Sequence, residues 1–348
     1  MGAPAREGSI VIPPSWLGDA VLSFPALHEI ARLGPMTLVA HPRVAPILAL
    51  DPGLGRVEVF AGPALSLAAW RQGARLRALR AERAIVFPRS LSSALRAAAT
   101  ATPVRIGIDA EGRGALLTKR VRLPWPERSR HIAEEFALVA DAAGARHPDG
   151  VPRLMLAEGA LAAARSFLGA RGAGPGVPLV ALGPGASYGP AKRWPPARFG
   201  EIAQRAAASG ALPILLGGAT DREDCAEVAA RSRGARVLDL SGATDIATLA
   251  ALLALSRVAV TNDSGPMHLA AAVGTPVVGL FGSTNPDWTA PLGPRHAVLR
   301  HDVACSPCYR RACPIGLLCF EGISVDAVWS AVEQRLSVPI NDGRPVGA

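Results

Sequence analysis

Short apolar runs alternate with amphipathic helical patterns along almost the whole chain, and this alternation constrains the fold more than any other feature. The pattern begins at Ser9–Ile12, pauses at the Gly- and Pro-rich stretch GARGAGPGVP (residues 169–178), and restarts at Leu179–Leu182. Such alternation predicts parallel sheets covered by helices on both faces. Because the pattern restarts completely after the linker, and because 348 residues exceed one typical domain, we predict two such units.

The predicted fold class is therefore α/β, with two Rossmann-like, doubly wound parallel sheets facing across a cleft. The predicted domains are residues 1–170, residues 177–323, and a C-terminal helix at 324–338 that could pack back on the first domain. The apolar runs that predict strands are Ser9–Ile12, Met36–Ala40, Val57–Phe60, Ala84–Phe87, Val104–Ile108, Leu179–Leu182, Pro213–Leu216, Arg236–Leu240, Arg257–Thr261 and Val277–Phe281. Ligands of such sheets bind outside the carboxyl ends of the strands, so the segments that follow these runs are where a site is expected.

Composition excludes several classes of protein. Hydrophobic residues make up 49% of the chain, which excludes disorder. The sequence shows no run long and apolar enough to predict a membrane span, and the N-terminal stretch MGAPAREGSIVIPPSW lacks a signal-peptide core, so a cytoplasmic protein is expected. The net charge of +9 favours anionic ligands, but basic runs with interleaved aromatic residues are missing and aromatic residues are only 5%, so no nucleic-acid partner is expected.

The stretch TNDSGPMHLAAAVGTPVV (residues 261–278) follows one predicted strand and opens a helix. Gly265 permits close approach of the backbone, and Asp263 or Ser264 can cap the helix. Exposed amides at a helix N-terminus can donate hydrogen bonds to an anion. This turn therefore either binds a phosphate group or is an ordinary turn with a capped helix. His268 lies one turn into the helix, where it is either a packed histidine or a further polar contact to the same ligand.

The loop PGASYGPAKRWPPARF (residues 184–199) follows the first strand of the second unit. It carries Lys192, one of only two lysines among 37 basic residues. The fold places this lysine at the same sheet edge as Ser264 and Gly265. A lysine that converges with a helix N-terminus would neutralise a diphosphate; otherwise it is a solvated cation in a loop.

The stretch PPSWLGDAVLSFPAL (residues 13–27) follows the first strand. Gly18 permits a tight turn, and Asp19 falls in the first turn of the next helix. The helix dipole favours the ionised carboxylate there, and an ionised Asp at a cleft can accept a proton from an attacking hydroxyl. The alternative is an acidic residue that serves the dipole alone.

Four cysteines follow one another in C-x2-C-x4-C-x5-C spacing: Cys305, Cys308, Cys313 and Cys319. They could ligate zinc or an iron–sulfur cluster, or form disulfides, which the cytosol disfavours. The spacing matches neither a zinc ribbon nor a ferredoxin, so a structural metal is not the favoured interpretation. The chain has no P-loop, no G-x-G-x-x-G after the first strand and no H-E-x-x-H, so ATPases, typical dinucleotide enzymes and zincins lose support.

Together the pieces PSWLGDAVLSFPAL, RIGIDAEGRGALLT, PGASYGPAKRWP and TNDSGPMHLAAAVGTPVVGLFG resemble the lipopolysaccharide heptosyltransferases of glycosyltransferase family 9, most of all those of the heptosyltransferase II type. The resemblance covers roughly residues 9 to 336. It implies a GT-B architecture and an inverting transfer that requires no cofactor or metal. The implied donor is ADP-L-glycero-D-manno-heptose, and the implied acceptor is the inner core of lipopolysaccharide at the cytoplasmic face of the inner membrane.

The resemblance also implies roles for individual residues. Asp19 would be the catalytic base, and Lys192 would contact the donor diphosphate. The remaining expected substrate contacts are Ser187, Asp221, Asn262, Asp263, Ser264, Gly265 and His268 for the donor, with Glu223 as an alternative to Asp221, and Arg89 and Arg113 for the acceptor. The alternatives are a family 9 transferase with another sugar or acceptor, a nucleotide-sugar 2-epimerase of the same architecture, and a non-catalytic nucleotide-sugar binding protein. The sequence leaves the oligomeric state open.

Overall fold

The computed structural model describes residues 7–337 and contains two six-stranded sheets in which every pair of neighbouring strands is parallel. The chain divides into two compact units, Met1–Leu154 and Met155–Ala348. The predicted fold class, α/β with two doubly wound parallel sheets, is confirmed. Residues 1–6, part of the stretch considered above as a signal peptide, and residue 338, the predicted end of the last helix, lie outside the described residues.

The sheet of the first unit has the strand order β3-β2-β1-β4-β5-β6. Its strands are β1 (Ser9–Ile12), β2 (Met36–Ala40), β3 (Arg56–Val59), β4 (Arg83–Val86), β5 (Val104–Ile108) and β6 (Lys119–Val121), and its helices are α1 (Leu17–Leu22), α2 (Phe24–Ala31), α3 (Ala45–Ala49), α4 (Leu67–Arg77), α5 (Leu91–Ala99) and α6 (Ile132–Ala142). Ile10 of β1 pairs with Thr37 on one side and with Ala84 on the other, and all four residues of β1 are buried. A central strand covered on both faces explains why β1 is a continuous apolar run without alternation.

The sheet of the second unit has the order β12-β11-β10-β7-β8-β9. Its strands are β7 (Leu179–Gly183), β8 (Leu212–Leu215), β9 (Leu238–Asp239), β10 (Val258–Asn262), β11 (Val277–Phe281) and β12 (Ala297–Arg300), and its helices are α7 (Glu158–Gly169), α8 (Pro196–Ala208), α9 (Arg222–Arg231), α10 (Ile246–Ala254), α11 (Gly265–Ala272), α12 (Pro286–Thr289), α13 (Leu318–Glu321) and α14 (Val325–Leu336). Trp194 and Phe199 are fully buried in its core and meet edge to face, with ring centroids 5.1 Å apart.

Two helices lie elsewhere than the predicted domain limits suggest. The first domain was predicted to extend to residue 170, but α7 packs against α10 and so belongs to the second unit. The last helix was predicted as a separate segment that could pack back on the first domain. Val328 and Val332 of α14 lie in the core of the second unit, because the apolar face of that helix covers α8 and the middle of the sheet.

The remaining differences concern the edges of elements. The helix expected after the first strand is divided into α1 and α2, where the Ser23 hydroxyl donates a hydrogen bond to the Ala20 carbonyl and Pro25 follows. The edge strands β6 and β12 were not predicted. Lys119 and Arg120 of β6 are exposed, so that strand has no apolar run to reveal it. No helix in the part of the chain that the structure describes is long and apolar enough to cross a membrane.

Candidate functional site

The loops after β7 and β10 lie side by side at the carboxyl edge of the second sheet. Thr261 of β10 pairs with Gly183 of β7, so both strands end at the same level. Two residues beyond Gly183, a Cβ on Gly185 would lie 2.2 Å from Asp221 Oδ1, so this loop must run without a side chain there. The edge therefore brings together the residues 184–195 and the turn at Asp263 and Ser264.

Lys192 lies at the end of a short helical turn and contacts this second segment directly. Its Nζ lies 2.5 Å from Asp263 Oδ2, and the two side chains are only 15% and 5% exposed. The hydroxyl of Thr284, which follows β11, donates a hydrogen bond of 2.6 Å to the same carboxylate oxygen. Asp263 thus orients the lysine, because a half-buried ammonium held by one carboxylate has a fixed direction.

Asn262, predicted as a donor contact, has a different role in this structure. Its side chain is fully buried; Oδ1 accepts a hydrogen bond from the Trp194 amide and Nδ2 donates one to the Pro184 carbonyl. Both ends of the lysine loop are therefore fastened to the last residue of β10. Asn262 positions Lys192 rather than offering its amide to a ligand.

The turn at Ser264 opens α11 without a side-chain cap, among the residues that the structure describes. The Ser264 hydroxyl donates to the Asn262 carbonyl at 3.1 Å instead of accepting from the helix, so the predicted cap at Asp263 or Ser264 does not form. The first amides of a helix have no intrahelical partner and carry the positive end of the dipole. Gly265 begins the helix, and His268 lies one turn further, buried.

Three residues that sequence reasoning missed surround Lys192: Thr284, Tyr188 and Arg311. Lys192 Nζ lies 5.3 Å from the centroid of the Tyr188 ring, and Arg311 Cζ lies 5.5 Å from the same centroid. The Tyr188 hydroxyl donates a 2.7 Å hydrogen bond to the carbonyl of Tyr309. These are the only two tyrosines of the chain, a signal that the sequence contained.

The cysteine segment packs against this edge through its backbone. The amides of Cys308 and Tyr309 both donate to the Ser283 carbonyl, and the Ala191 amide donates to the Arg311 carbonyl. The four cysteines of the segment, like Cys225, are free thiols. The backbone amides of Ile315 and Leu317 lower the pKa of the Cys313 thiol, whereas burial raises the pKa of Cys319. In residues 7–337 no three His, Cys, Asp or Glu side chains are arranged to hold a metal ion.

Ser187 and Asp221, the two remaining residues predicted to bind the sugar donor, differ in their exposure to solvent. Ser187 is exposed on the lysine loop. Asp221 is buried, and its Oδ2 accepts a 2.9 Å hydrogen bond from the Gly218 amide, while its other oxygen faces Gly185. Asp221 therefore holds the loop that follows β8 and packs against Gly185 of the loop that follows β7, whereas Glu223, the alternative, is exposed in the first turn of α9.

In the first unit, Asp19 lies half-buried in the first turn of α1, the helix that follows β1. Arg89 follows β4 and forms ion pairs with Glu135 (2.6 Å) and Glu127 (3.0 Å). Burial raises the pKa of Glu135, although Arg89 opposes that rise.

Arg113, the second predicted acceptor residue, is fully buried in the first unit. Its guanidinium donates to the carbonyls of Ile108 and Pro88 and to the Ser93 hydroxyl, and burial lowers its pKa to about 10. The structure thus gives this arginine a role in the fold, because its donors are directed at the protein's own backbone.

Comparison with known proteins gives one consistent result. Residues 69–318 match the model of glycosyltransferase family 9 (heptosyltransferase). The chain is 32% identical over 309 residues to lipopolysaccharide heptosyltransferase 2 of Escherichia coli K12, which covers 84% of this chain and 87% of that protein. It is 29% identical to lipooligosaccharide heptosyltransferase 2 of Haemophilus influenzae over 84% of this chain and 88% of that protein. The solved structure of E. coli ADP-heptose LPS heptosyltransferase II superimposes with a TM-score of 0.81 at 27% identity, covering 94% and 98% of the two chains.

Proposed function

Because this chain belongs to glycosyltransferase family 9, we propose that it transfers heptose from ADP-L-glycero-D-manno-heptose to the inner core of lipopolysaccharide. The observation that carries the proposal is the arrangement at the carboxyl edge of the second sheet. There the ammonium of Lys192 is held by Asp263, whose carboxylate also accepts a hydrogen bond from Thr284, beside the uncapped start of α11. A fixed cation next to the positive end of a helix is suited to a diphosphate.

The bond that breaks joins the anomeric carbon of heptose to the β-phosphate oxygen, and ADP leaves with the bonding electrons. Negative charge therefore develops on the departing phosphate, where Lys192 and the first amides of α11 would stabilise it without reorganisation. In this proposal Ser187, Ser264, Gly265 and His268 complete the contacts to phosphate and sugar, and Asp263 keeps the lysine directed at the donor. This charge stabilisation is why we propose that transfer needs no metal or cofactor.

Asp19 is the proposed general base. It would accept the proton of the acceptor hydroxyl as that oxygen attacks the anomeric carbon, so that one displacement inverts the configuration. Its place in the first turn of α1 supports the role, because the helix dipole favours the ionised carboxylate that a base requires. Arg89 is proposed on the acceptor side, with Glu127 and Glu135 fixing its direction.

A transfer assay tests the proposal directly. The purified protein is incubated in EDTA with ADP-heptose and a series of truncated core acceptors, and the products are identified by mass spectrometry and NMR. We expect release of ADP, a gain of one heptose on an acceptor that ends in an inner-core heptose, and the opposite anomeric configuration from the donor. Absence of product with every core acceptor would contradict the proposed function.

The epimerase alternative is distinguished in the same experiment. An epimerase would act on the nucleotide sugar without any acceptor and release a rearranged sugar. We expect ADP-heptose to stay unchanged when the acceptor is omitted, apart from slow hydrolysis.

A further inference from the structure

Helix α4 of the first unit presents a face that the fold does not use. Its inner face packs on the unit: Leu76 is buried beside Ile10 and Val39, and a Cβ on Gly73 would lie 2.8 Å from Ala99. The outer face is a stripe at helical spacing that consists of Leu67, Trp70, Ala74 and Arg77, all exposed. A helix with one packed face normally has polar residues on the other, so the leucine and tryptophan require an explanation.

The exposure of these side chains is concentrated in a short segment. Leu65, Leu67 and Trp70 are 78%, 67% and 56% exposed, which makes them three of the four most exposed large apolar side chains in the described part of the chain. Isolated exposed apolar residues are ordinary, but three within six residues form a patch. We call Leu65, Leu67 and Trp70, with Arg71 and Arg77, the α4 surface.

The charged residues of the segment that carries this patch are all arginines. Residues 61–81 contain four arginines, at positions 71, 75, 77 and 80, and no Asp or Glu. Arg75 pairs with Glu58 of β3, which Arg56 also contacts. The guanidinium of Arg77 lies over the Trp70 ring with Cζ 5.5 Å from its centroid, and Arg71 is exposed one residue further along the helix. The α4 surface thus combines apolar side chains with uncompensated positive charge.

We propose that the α4 surface docks the protein on an anionic lipid bilayer. Leucine and tryptophan enter the boundary between headgroups and acyl chains, and arginines beside them meet the lipid phosphates, which is the composition of interfacial helices. A second copy of this chain fits less well, because a two-fold contact would set these arginines against their own counterparts. The inference rests on the proposed function in one respect: a lipid-linked acceptor gives the enzyme a reason to lie on a membrane.

Vesicle partitioning of the full chain, without substrate, tests the inference. We compare phosphatidylcholine vesicles with mixed phosphatidylglycerol–phosphatidylcholine vesicles. The double variant Leu65→Ser/Leu67→Ser should partition at least about tenfold less into the anionic vesicles, and Arg71→Ala/Arg77→Ala should weaken partitioning about fivefold per charge removed. The matched control is Met155→Ser/Ile315→Ser, since these side chains are 70% and 54% exposed in the second unit; it should partition as the native chain does.

Trp70 provides a second readout of insertion. Brominated lipids should quench native fluorescence more than that of Trp70→Phe, because the tryptophan would reach the depth of the bromines. Equal quenching of the two proteins would overturn the inference. So would equal binding of native and both double variants, or equal binding to neutral and anionic vesicles. Self-association that Leu65→Ser/Leu67→Ser abolishes, without vesicle binding, would assign the surface to a second copy instead.

The two proposals can fail separately. With a soluble core oligosaccharide as acceptor, the α4 variants should turn over as the native enzyme does, and with an acceptor embedded in anionic vesicles they should be slower. Vesicle binding without any heptose transfer would leave docking supported and the proposed function contradicted. Heptose transfer without vesicle binding would support the proposed function and contradict docking.

Discussion

At the scale of single residues, the site depends on side chains that hold other side chains. Asp263 accepts from both Lys192 and Thr284, and Asn262 fastens the two ends of the loop that carries the lysine. The motifs predicted that Lys192 and Asp263 would lie at the same sheet edge, and the structure brings the two side chains into contact. The motifs could not distinguish a side chain that contacts a ligand from one that hydrogen-bonds within the protein, because an asparagine at a strand end can do either.

Asn262 should matter more for stability than its position near a ligand suggests. Asn262→Ala leaves the buried Trp194 amide and Pro184 carbonyl without their partners, at a cost of about 1–3 kcal/mol for each group. We expect the free energy of unfolding of the second unit, measured by chemical denaturation, to fall by about 2–6 kcal/mol. Asn262→Asp keeps the acceptor for the Trp194 amide, so its free energy of unfolding should lie between those of the native chain and Asn262→Ala. An unchanged denaturation midpoint for Asn262→Ala would contradict the positioning role.

Asp19 should affect the chemical step and not donor binding. Asp19→Asn removes the proton acceptor at nearly constant shape, so kcat should fall by about 10²–10⁴-fold while the dissociation constant of ADP stays the same. Steady-state kinetics and calorimetry measure the two quantities. The control is Asp149→Asn, an exposed acid of the same unit. Native turnover in Asp19→Asn would show that another group takes the proton.

At the scale of elements, the interiors of strands and helices were predictable and their ends were not. Buried strands such as β1 and β10 are continuous apolar runs, because parallel strands are covered on both faces. The edge strands β6 and β12 escaped prediction because they are short and partly exposed. The division between α1 and α2 depends on a local hydrogen bond of Ser23, which no periodicity reveals.

His296 connects two of these strands and should make the second unit sensitive to acid. Its Nδ1 accepts a hydrogen bond from the Val277 amide at the start of β11, and its Nε2 donates one to the Leu292 carbonyl. A ring that accepts at one nitrogen and donates at the other is the neutral form of histidine. Burial lowers its pKa from 6.5 to about 4. Between those values the unfolded chain binds more protons than the folded chain, so this stability is present above pH 6.5 and is lost as pH falls towards 4.

The magnitude and the variant that checks it follow from the same shift. The free energy of unfolding should fall by up to about 3 kcal/mol across this range, and His296→Gln should flatten the dependence. His301→Gln, at an exposed histidine of the same unit, is the control and should retain it. Denaturant titrations at several pH values measure this dependence. If His296→Gln lost stability at acid pH as the native chain does, the role of His296 would be refuted.

At the scale of the whole molecule, each unit has its own sheet and its own core, and the two carry different parts of the proposed chemistry. The alternation of patterns predicted two α/β units correctly, but the stretch at residues 169–178 lies within the second unit and does not separate the two. The placement of α7 and α14 could not be read from the sequence, because an amphipathic pattern shows that a helix has an apolar face and not which sheet that face covers. In the structure α14 covers β10 and β11, and Trp194 Nε1 donates to the Ile323 carbonyl just before it.

Because the residues proposed to bind the donor all belong to the second unit, ADP should protect that unit selectively. Ligand at 100 times its dissociation constant stabilises the state that binds it by about 2.7 kcal/mol. We expect hydrogen exchange to slow at residues 183–195 and 261–268, with little change in β2 and β3. Equal protection of both units, or protection of the first alone, would contradict this assignment of the donor.

The claim on which the account depends most is that Lys192 binds the donor diphosphate, and calorimetric titration with ADP tests it most directly. Lys192→Ala should weaken ADP binding by about 1–3 kcal/mol, or about 5- to 150-fold, because a charge-assisted contact is lost. The chain contains its own control in Lys119, the other lysine, which is exposed on the edge strand β6. Lys119→Ala should bind ADP as the native chain does. Native affinity in Lys192→Ala, or an equal loss in both variants, would contradict the account.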